Sequence, residues 1–131
     1  MEFRVLIVDD NGAFLYAARV LLAREGLDVV GIASTGAEAL GQTRDLQPDV
    51  VLVDIELAGE SGFDVARQLV ERNPDGPLVI LVSTFAEEDL GELVDESPAI
   101  GFLPKRSLSA QAIRGLINLS QAAGATAHRG R

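Results

Sequence analysis

Val5-Leu6-Ile7-Val8-Asp9-Asp10 is an apolar run that stops abruptly at two carboxylates. The same punctuation recurs along the chain. Val50-Val51-Leu52-Val53 stops at Asp54, Leu78 to Val82 stops at Ser83-Thr84, and Ala99 to Leu103 stops at Pro104-Lys105. Near-continuous runs of Val, Ile and Leu suit strands covered on both faces of a parallel sheet. If these runs are neighbours, their polar ends meet at one edge. That carboxyl edge is where open α/β sheets bind ligands. Acid pair, acid, hydroxyl and lysine would then share one site.

Helix-like segments separate the runs. After the first strand, about Phe3 to Val8, the residues Phe14, Ala17, Ala18, Leu21 and Leu22 keep helical spacing, and Gly26 stands where a C-cap belongs. Leu27 to Ala33 reads as a second strand. Thr35-Gly36-Ala37-Glu38 is a capping-box pattern opening a helix that must stop before Pro48. Ser61 caps a third helix with Phe63, Ala66, Leu69 and Val70 inward, ending near Asn73-Pro74. Thr84 to Glu87 is a second capping box, followed by the stripe Leu90, Leu93 and Val94. Ser107 or Ser109 caps a last helix bearing Ile113, Leu116 and Ile117. Five strand–helix alternations predict an α/β fold. Pro104 cannot donate to a ladder, so the fifth strand belongs at an edge or ends there. The domain is expected over 1–120, with an Ala- and Gly-rich tail from Gln121 to Arg131 that frays.

A chain of 131 residues suits one domain, and 47% apolar residues supply its core. The absence of Cys excludes disulfides and thiolate metal sites, and a reducing cytoplasmic setting fits. No apolar run reaches the roughly 20 residues of a membrane helix, and the N-terminus reads as strand rather than signal peptide. A net charge of −9 argues against a duplex-binding surface and favours cations and basic protein surfaces as partners.

Adjacent carboxylates at a strand end repel each other unless a cation lies between them. Mg²⁺ favours such oxygens. The plainer reading of Asp9-Asp10 is a cap for the helix near Asn11. Asp54 alone reads as a turn residue, but an ionised aspartate there can also attack phosphorus and form an aspartyl phosphate. Mg²⁺ on Asp10 and Asp54, the Lys105 ammonium and the Ser83 hydroxyl would then neutralise the transferred charge. Lys105 is the only lysine in the chain and follows the fifth strand directly. A solvated surface lysine is its plainer reading, and an N-cap is that of Ser83, although Thr84 is the better cap.

Taken together, V-L-I-V-D-D-N, V-V-L-V-D-I-E-L, L-V-I-L-V-S-T and G-F-L-P-K resemble the receiver domain of two-component response regulators, up to about Leu119. The resemblance implies a flavodoxin-like fold: a doubly wound five-stranded parallel sheet, order 2-1-3-4-5, flanked by five helices, with its crevice between strands one and three. It implies that Asp54 accepts phosphate from a histidine kinase or phosphotransfer protein. Asp9 and Asp10 form the acidic pair, with Asp10 the direct Mg²⁺ ligand and the Glu56 backbone carbonyl another. Lys105 contacts the phosphate, and Ser83 and Phe102 are the switch pair. Glu56 and Phe85 border the path of a hydrolytic water. Ala58 and Arg106 stand where many receivers have Pro, so a looser loop and a trans Lys105–Arg106 bond are expected.

Such a protein is a phosphorylation-dependent switch rather than an enzyme, beyond promoting its own phosphotransfer and slow dephosphorylation. Its signalling face is expected on the fourth helix, fifth strand and fifth helix. The fourth helix carries the acids Glu87, Glu88, Asp89, Glu92, Asp95 and Glu96. A basic partner would suit it, as would a homodimer pairing those acids with Arg106 or Arg114. Two other classes compete. A pseudo-receiver would bind proteins without taking phosphate. A haloacid-dehalogenase-type phosphatase would space its first-strand acids by one residue, whereas here they are adjacent. Both a single-domain regulator and a receiver cut from a longer DNA-binding regulator fit.

Overall fold

A computed structural model describes residues 3–85 and 90–129, the side chains of residues 123–129 aside. The elements run β1 (Arg4–Val8), α1 (Gly12–Arg24), β2 (Asp28–Ala33), α2 (Gly36–Leu46), β3 (Val50–Asp54), β4 (Glu56–Leu57), β5 (Glu60–Ser61), α3 (Gly62–Arg72), β6 (Leu78–Ser83), α4 (Gly91–Glu96), β7 (Gly101–Pro104) and α5 (Ala110–Arg129). A short 3₁₀ turn, Lys105–Ser107, joins β7 to α5. The main sheet has the order β2-β1-β3-β6-β7, which is the expected 2-1-3-4-5 counted over its five long strands. All its pairings are parallel. Pro104 ends the edge strand β7 opposite Ser83.

The apolar runs form β1, β3 and β6 because both faces of the sheet are covered. Val5, Ile7, Leu52 and Ile80 pack on one side with Leu15, Leu22, Ile113 and Ile117 of α1 and α5. Leu6, Val51, Val53 and Leu81 pack on the other with Ala39, Val65, Leu69 and Val94 of α2, α3 and α4. Truncating a fully buried leucine in such a core costs about 2–5 kcal/mol.

Most helix starts follow their sequence signals. The Thr35 hydroxyl accepts from the Glu38 N–H at 3.1 Å, and the Glu38 carboxylate reaches back to the Ser34 N–H at 2.9 Å. Gln47 takes φ 49° and turns the chain before Pro48. Ser61 caps α3, and Ser109 rather than Ser107 caps α5. Gly26 lies at φ +95° after α1.

The helical faces differ from expectation in phase. Leu15, Ala18 and Leu22 bury the inner face of α1, while Ala17 and Leu21 are exposed. Val65 joins Ala66 and Leu69 inside α3, and Leu93 of α4 is 52% exposed. Adjacent apolar residues allow two phases of a 3.6-residue period, and only packing selects one. The described part of α4 starts at Gly91, not at Thr84, with no side-chain cap. Glu87, Glu88 and Asp89, and with them the second capping box, lie outside the described residues.

At the C-terminus α5 continues to Arg129, where composition predicts fraying from Gln121. Alanine, frequent there, has the highest intrinsic helix propensity, so no apolar stripe is needed to carry the helix on. Among the described residues no helix is long and apolar enough to cross a membrane.

Candidate functional site

Register brings the strand ends together. Val8 lies opposite Val53, so Asp9 and Asp54 follow at one level on adjacent strands. β6 flanks β3 on the other side, with Val82 opposite Asp54 and Ser83 one step beyond. β7 places Pro104 beside Ser83, and Lys105 comes next. A carboxylate oxygen from each of Asp9, Asp10 and Asp54 falls within 4.8 Å of the others. That is an all-oxygen, acidic donor set of the kind hard divalent cations take.

The capping alternative for the acid pair is answered by Asn11, whose side chain accepts from the Phe14 N–H at 3.1 Å and caps α1 itself. Asp9 is fully buried. Its Oδ1 accepts from the Asn11 N–H at 2.8 Å, and its Oδ2 lies 2.7 Å from Lys105 Nζ. Asp10 is exposed at the mouth of the site. Asp54 is buried. Its Oδ1 accepts from the Glu56 N–H at 3.1 Å and its Oδ2 from Lys105 at 3.3 Å. Lys105 is not a solvated surface lysine: its side chain is only 15% exposed and bridges the two buried acids.

Burial raises the Asp54 carboxyl above its ordinary value, opposed by the Glu56 N–H, reinforced by the negative charge of Asp9 and opposed again by Lys105. Burial by itself would lower the Lys105 ammonium. The Asp9 hydrogen bond and the charges of Asp54 and Asp9 outweigh it, and the net shift is upward. Lys105 therefore stays charged across the physiological range. A buried positive charge beside an acid whose ionised form is disfavoured is set to act when further positive charge arrives.

The loop after Asp54 is pinned from below. Its chain turns through the β4–β5 hairpin, with Gly59 at φ +76°, and the Gly62 N–H returns to the Ile55 carbonyl at 2.9 Å. A Cβ at Gly62 would collide with the Asp54 carbonyl oxygen and with Ile55 Cα. The hairpin forms with Ala58 at its turn. Glu60 ties it to α2, its carboxylate accepting from the Gly36 N–H at 2.9 Å.

The remaining predicted residues are divided between the buried core and the surface. Ser83 is buried, and its hydroxyl oxygen accepts from the Phe85 N–H at 3.0 Å. Phe102 is buried in the α3–α4 side of the core. The Glu56 side chain is exposed, and Phe85 is 47% exposed. The Lys105–Arg106 bond is trans. Arg106 is exposed, whereas Arg114 donates to the Glu25 carbonyl at 3.3 Å and so belongs to the α1–α5 contact.

Two residues escape the sequence reading. Glu25 accepts from the Ala110 N–H at 2.7 Å and joins the end of α1 to the start of α5 across 85 positions. Phe14 places its ring centroid 4.4 Å from Lys105 Nζ. It was legible only as one apolar residue of a helical stripe, although its place in the first turn after the acid pair was a usable signal.

The family model of the response regulator receiver domain matches residues 5–118. The chain belongs to that family. This receiver is 34% identical over 115 residues to the response regulator GacA of Pseudomonas viridiflava, covering 86% of this chain and 53% of that protein. It is 36% identical over 109 residues to a protein-glutamate methylesterase/protein-glutamine glutaminase of Alkalilimnicola ehrlichii, covering 81% of this chain and 27% of that one. The chain thus spans about half or less of these curated relatives. Receivers are in general not enzymes, and the activities in the second relative's name are those of a much longer protein. The signal receiver domain of the putative response regulator NarL from Mycobacterium tuberculosis matches at TM-score 0.76 and 30% identity, covering 92% of this chain and 97% of that one. As a response-regulator receiver, the chain is a phosphorylation-dependent signalling domain. Nothing favours a pseudo-receiver: the three acids and the lysine stand together.

Proposed function

We propose that Asp54 is the phosphoacceptor of this receiver and that a histidine kinase or phosphotransfer protein is its donor. The observation that carries the reading is Lys105 Nζ, 2.7 Å from Asp9 and 3.3 Å from Asp54 within a three-carboxylate cluster. An Asp54 carboxylate oxygen forms the new bond to phosphorus. The bond from phosphorus to the donor's leaving atom breaks, and the leaving group departs with that electron pair. Little else is demanded of the protein but positioning and charge neutralisation.

Each neighbour has a part in that. The Glu56 N–H holds Asp54 Oδ1 and so turns the other oxygen toward the donor. Lys105 sits where it can follow charge from the carboxylate to the phosphoryl oxygens. Asp9, which keeps no water contact, anchors Lys105. The donor set fits Mg²⁺, with Asp10, Asp54 and the Glu56 carbonyl as ligands and Asp9 beside them; bound there, the ion would neutralise phosphoryl oxygens. The Ser83 hydroxyl can donate to a phosphoryl oxygen, drawing the segment from Ser83 to Phe85 toward the site. Phe102 is already inside, so the shift falls on Ser83 to Phe85 rather than on that ring. The signal would then leave through α4, β7 and α5, toward a downstream protein or a second copy. A cytoplasmic setting is consistent with this role.

Incubation with acetyl phosphate and Mg²⁺ followed by intact mass tests the reading. A single phosphoryl adduct is expected in the wild type and none in Asp54→Asn. An adduct of equal size and rate in that variant would overturn the assignment. Turnover of a phosphoester without an adduct would favour a phosphatase instead.

A further inference from the structure

Phe14 has a task that core packing does not account for. It opens the first turn of α1, where its N–H is fixed by the Asn11 cap. Its ring is half-buried, with the rest of its contacts on the α1–α5 side of the core. The ring face stands 4.4 Å from Lys105 Nζ. An ammonium has three N–H groups and no acceptor. Here it ion-pairs with Asp9 Oδ2 at 2.7 Å and donates to Asp54 Oδ2 at 3.3 Å. The aromatic face, negative at its centre, lies against the same ammonium on a further side.

We propose that Phe14 is a positioning residue for phosphotransfer, holding the Lys105 ammonium over Asp54 as the third wall of its cradle. The inference rests on Asp54 as phosphoacceptor and deepens it. When phosphorus bonds to Asp54, negative charge moves outward from the carboxylate to the phosphoryl oxygens, and Lys105 must shift to stay beside it. A carboxylate wall alone would hold the ammonium back at Asp9. A ring attracts it without a fixed hydrogen-bond direction, so it can slide while staying covered from water. The same wall sits at the start of α1, so the aim of Lys105 depends on the Asn11 cap of that helix.

The chain's single lysine makes the test direct. Wild type, Phe14→Tyr and Phe14→Leu are labelled with isotopic lysine, giving one side-chain signal that can only be Lys105. Each is then phosphorylated with acetyl phosphate at saturating Mg²⁺. Its phosphorus–oxygen bond to the acetyl group breaks, acetate leaves with the electron pair, and the adduct is followed by mass. Phe14→Leu keeps apolar packing but removes the ring. It should react about 3- to 30-fold more slowly, while Phe14→Tyr should stay near the wild-type rate. The Lys105 methylene protons next to Nζ should be ring-shifted upfield in wild type and Phe14→Tyr and not in Phe14→Leu. An unshifted Lys105 in wild type overturns the contact. Equal rates in wild type and Phe14→Leu overturn the positioning role and leave Asp54 standing. A wild type that takes no phosphoryl group at all overturns both.

Discussion

At the ends of β1 and β3 the two buried acids are held several times over. Asp9 and Asp54 are buried, each takes a backbone N–H, both take Lys105, and Gly62 closes the loop beneath them. At the end of β6, among the described residues, a hydroxyl–amide contact ties Ser83 to Phe85, Phe85 is half out in solvent, and the described part of α4 is six residues long with no side-chain cap. Both halves lie on the same sheet edge and both begin from fully buried strands. The difference fits a switch. The half that receives the phosphoryl group needs preorganised atoms, since a misplaced nucleophile forfeits rate. A half that passes a signal on, as proposed for this one, needs a small energy gap between arrangements, and an exposed ring and an uncapped helix start suit that.

A matched pair of glycines breaks or sharpens this contrast most strongly. Gly62→Ala forces a Cβ into the Asp54 backbone and should cost about 3 kcal/mol, read as a lower denaturation midpoint. Gly91→Ala in α4 meets nothing within 4 Å and should stabilise by roughly 0.4–1 kcal/mol. Similar costs at the two positions would mean that the edge is uniformly rigid.

A smaller effect concerns the charge on Asp54. Its folded value is raised above 3.8, chiefly by burial, so the folded chain takes up a proton at higher pH than the unfolded chain. The stability this gives is fully present below 3.8 and is lost as pH rises through the folded value. In chelator at pH 7, Asp54→Asn should therefore melt higher than wild type, with the gap closing as pH falls toward 3.8. Millimolar Mg²⁺ should raise the wild-type melting temperature more than that of the variant, since an ion held by these carboxylates, as proposed, would stabilise the folded state. A variant that melts lower at pH 7, or a cation effect equal in both, would mean that Asp54 is not held at a cost.

The smallest effect falls on the weakly held half. Phe85 is exposed beside the Ser83 contact and has no polar group with which to orient a water. Phe85→Ala should hasten loss of the phosphoryl group from Asp54 several-fold in excess Mg²⁺, with little change in stability. An unchanged lifetime would show that the ring does not shield the site.

The strand ends were legible because burial on both faces demands unbroken apolar runs, and a run announces its own end. The runs place Asp9, Asp10, Asp54, Ser83 and Lys105 at strand ends, and the parallel pairing of those strands brings them to one edge. The helices were less legible. Leu21 and Leu93 read as inward and are exposed, while Leu15 and Val65 are buried instead. Runs such as Phe14-Leu15 and Leu21-Leu22 satisfy the helical period in either phase.

What the sequence determined by itself is therefore the order of elements, the chemistry at their ends and the family to which that order belongs. These are local properties, carried by a few consecutive residues. Tertiary structure alone decided that Asp9 is the buried anchor and Asp10 the exposed acid, that Asn11 rather than either of them caps α1, and that Phe14 covers Lys105. It also decided that Glu25 reaches the start of α5 and that no side chain could stand at Gly62. Each depends on register or on the approach of segments far apart in the chain, and such approach is set by how the whole core packs.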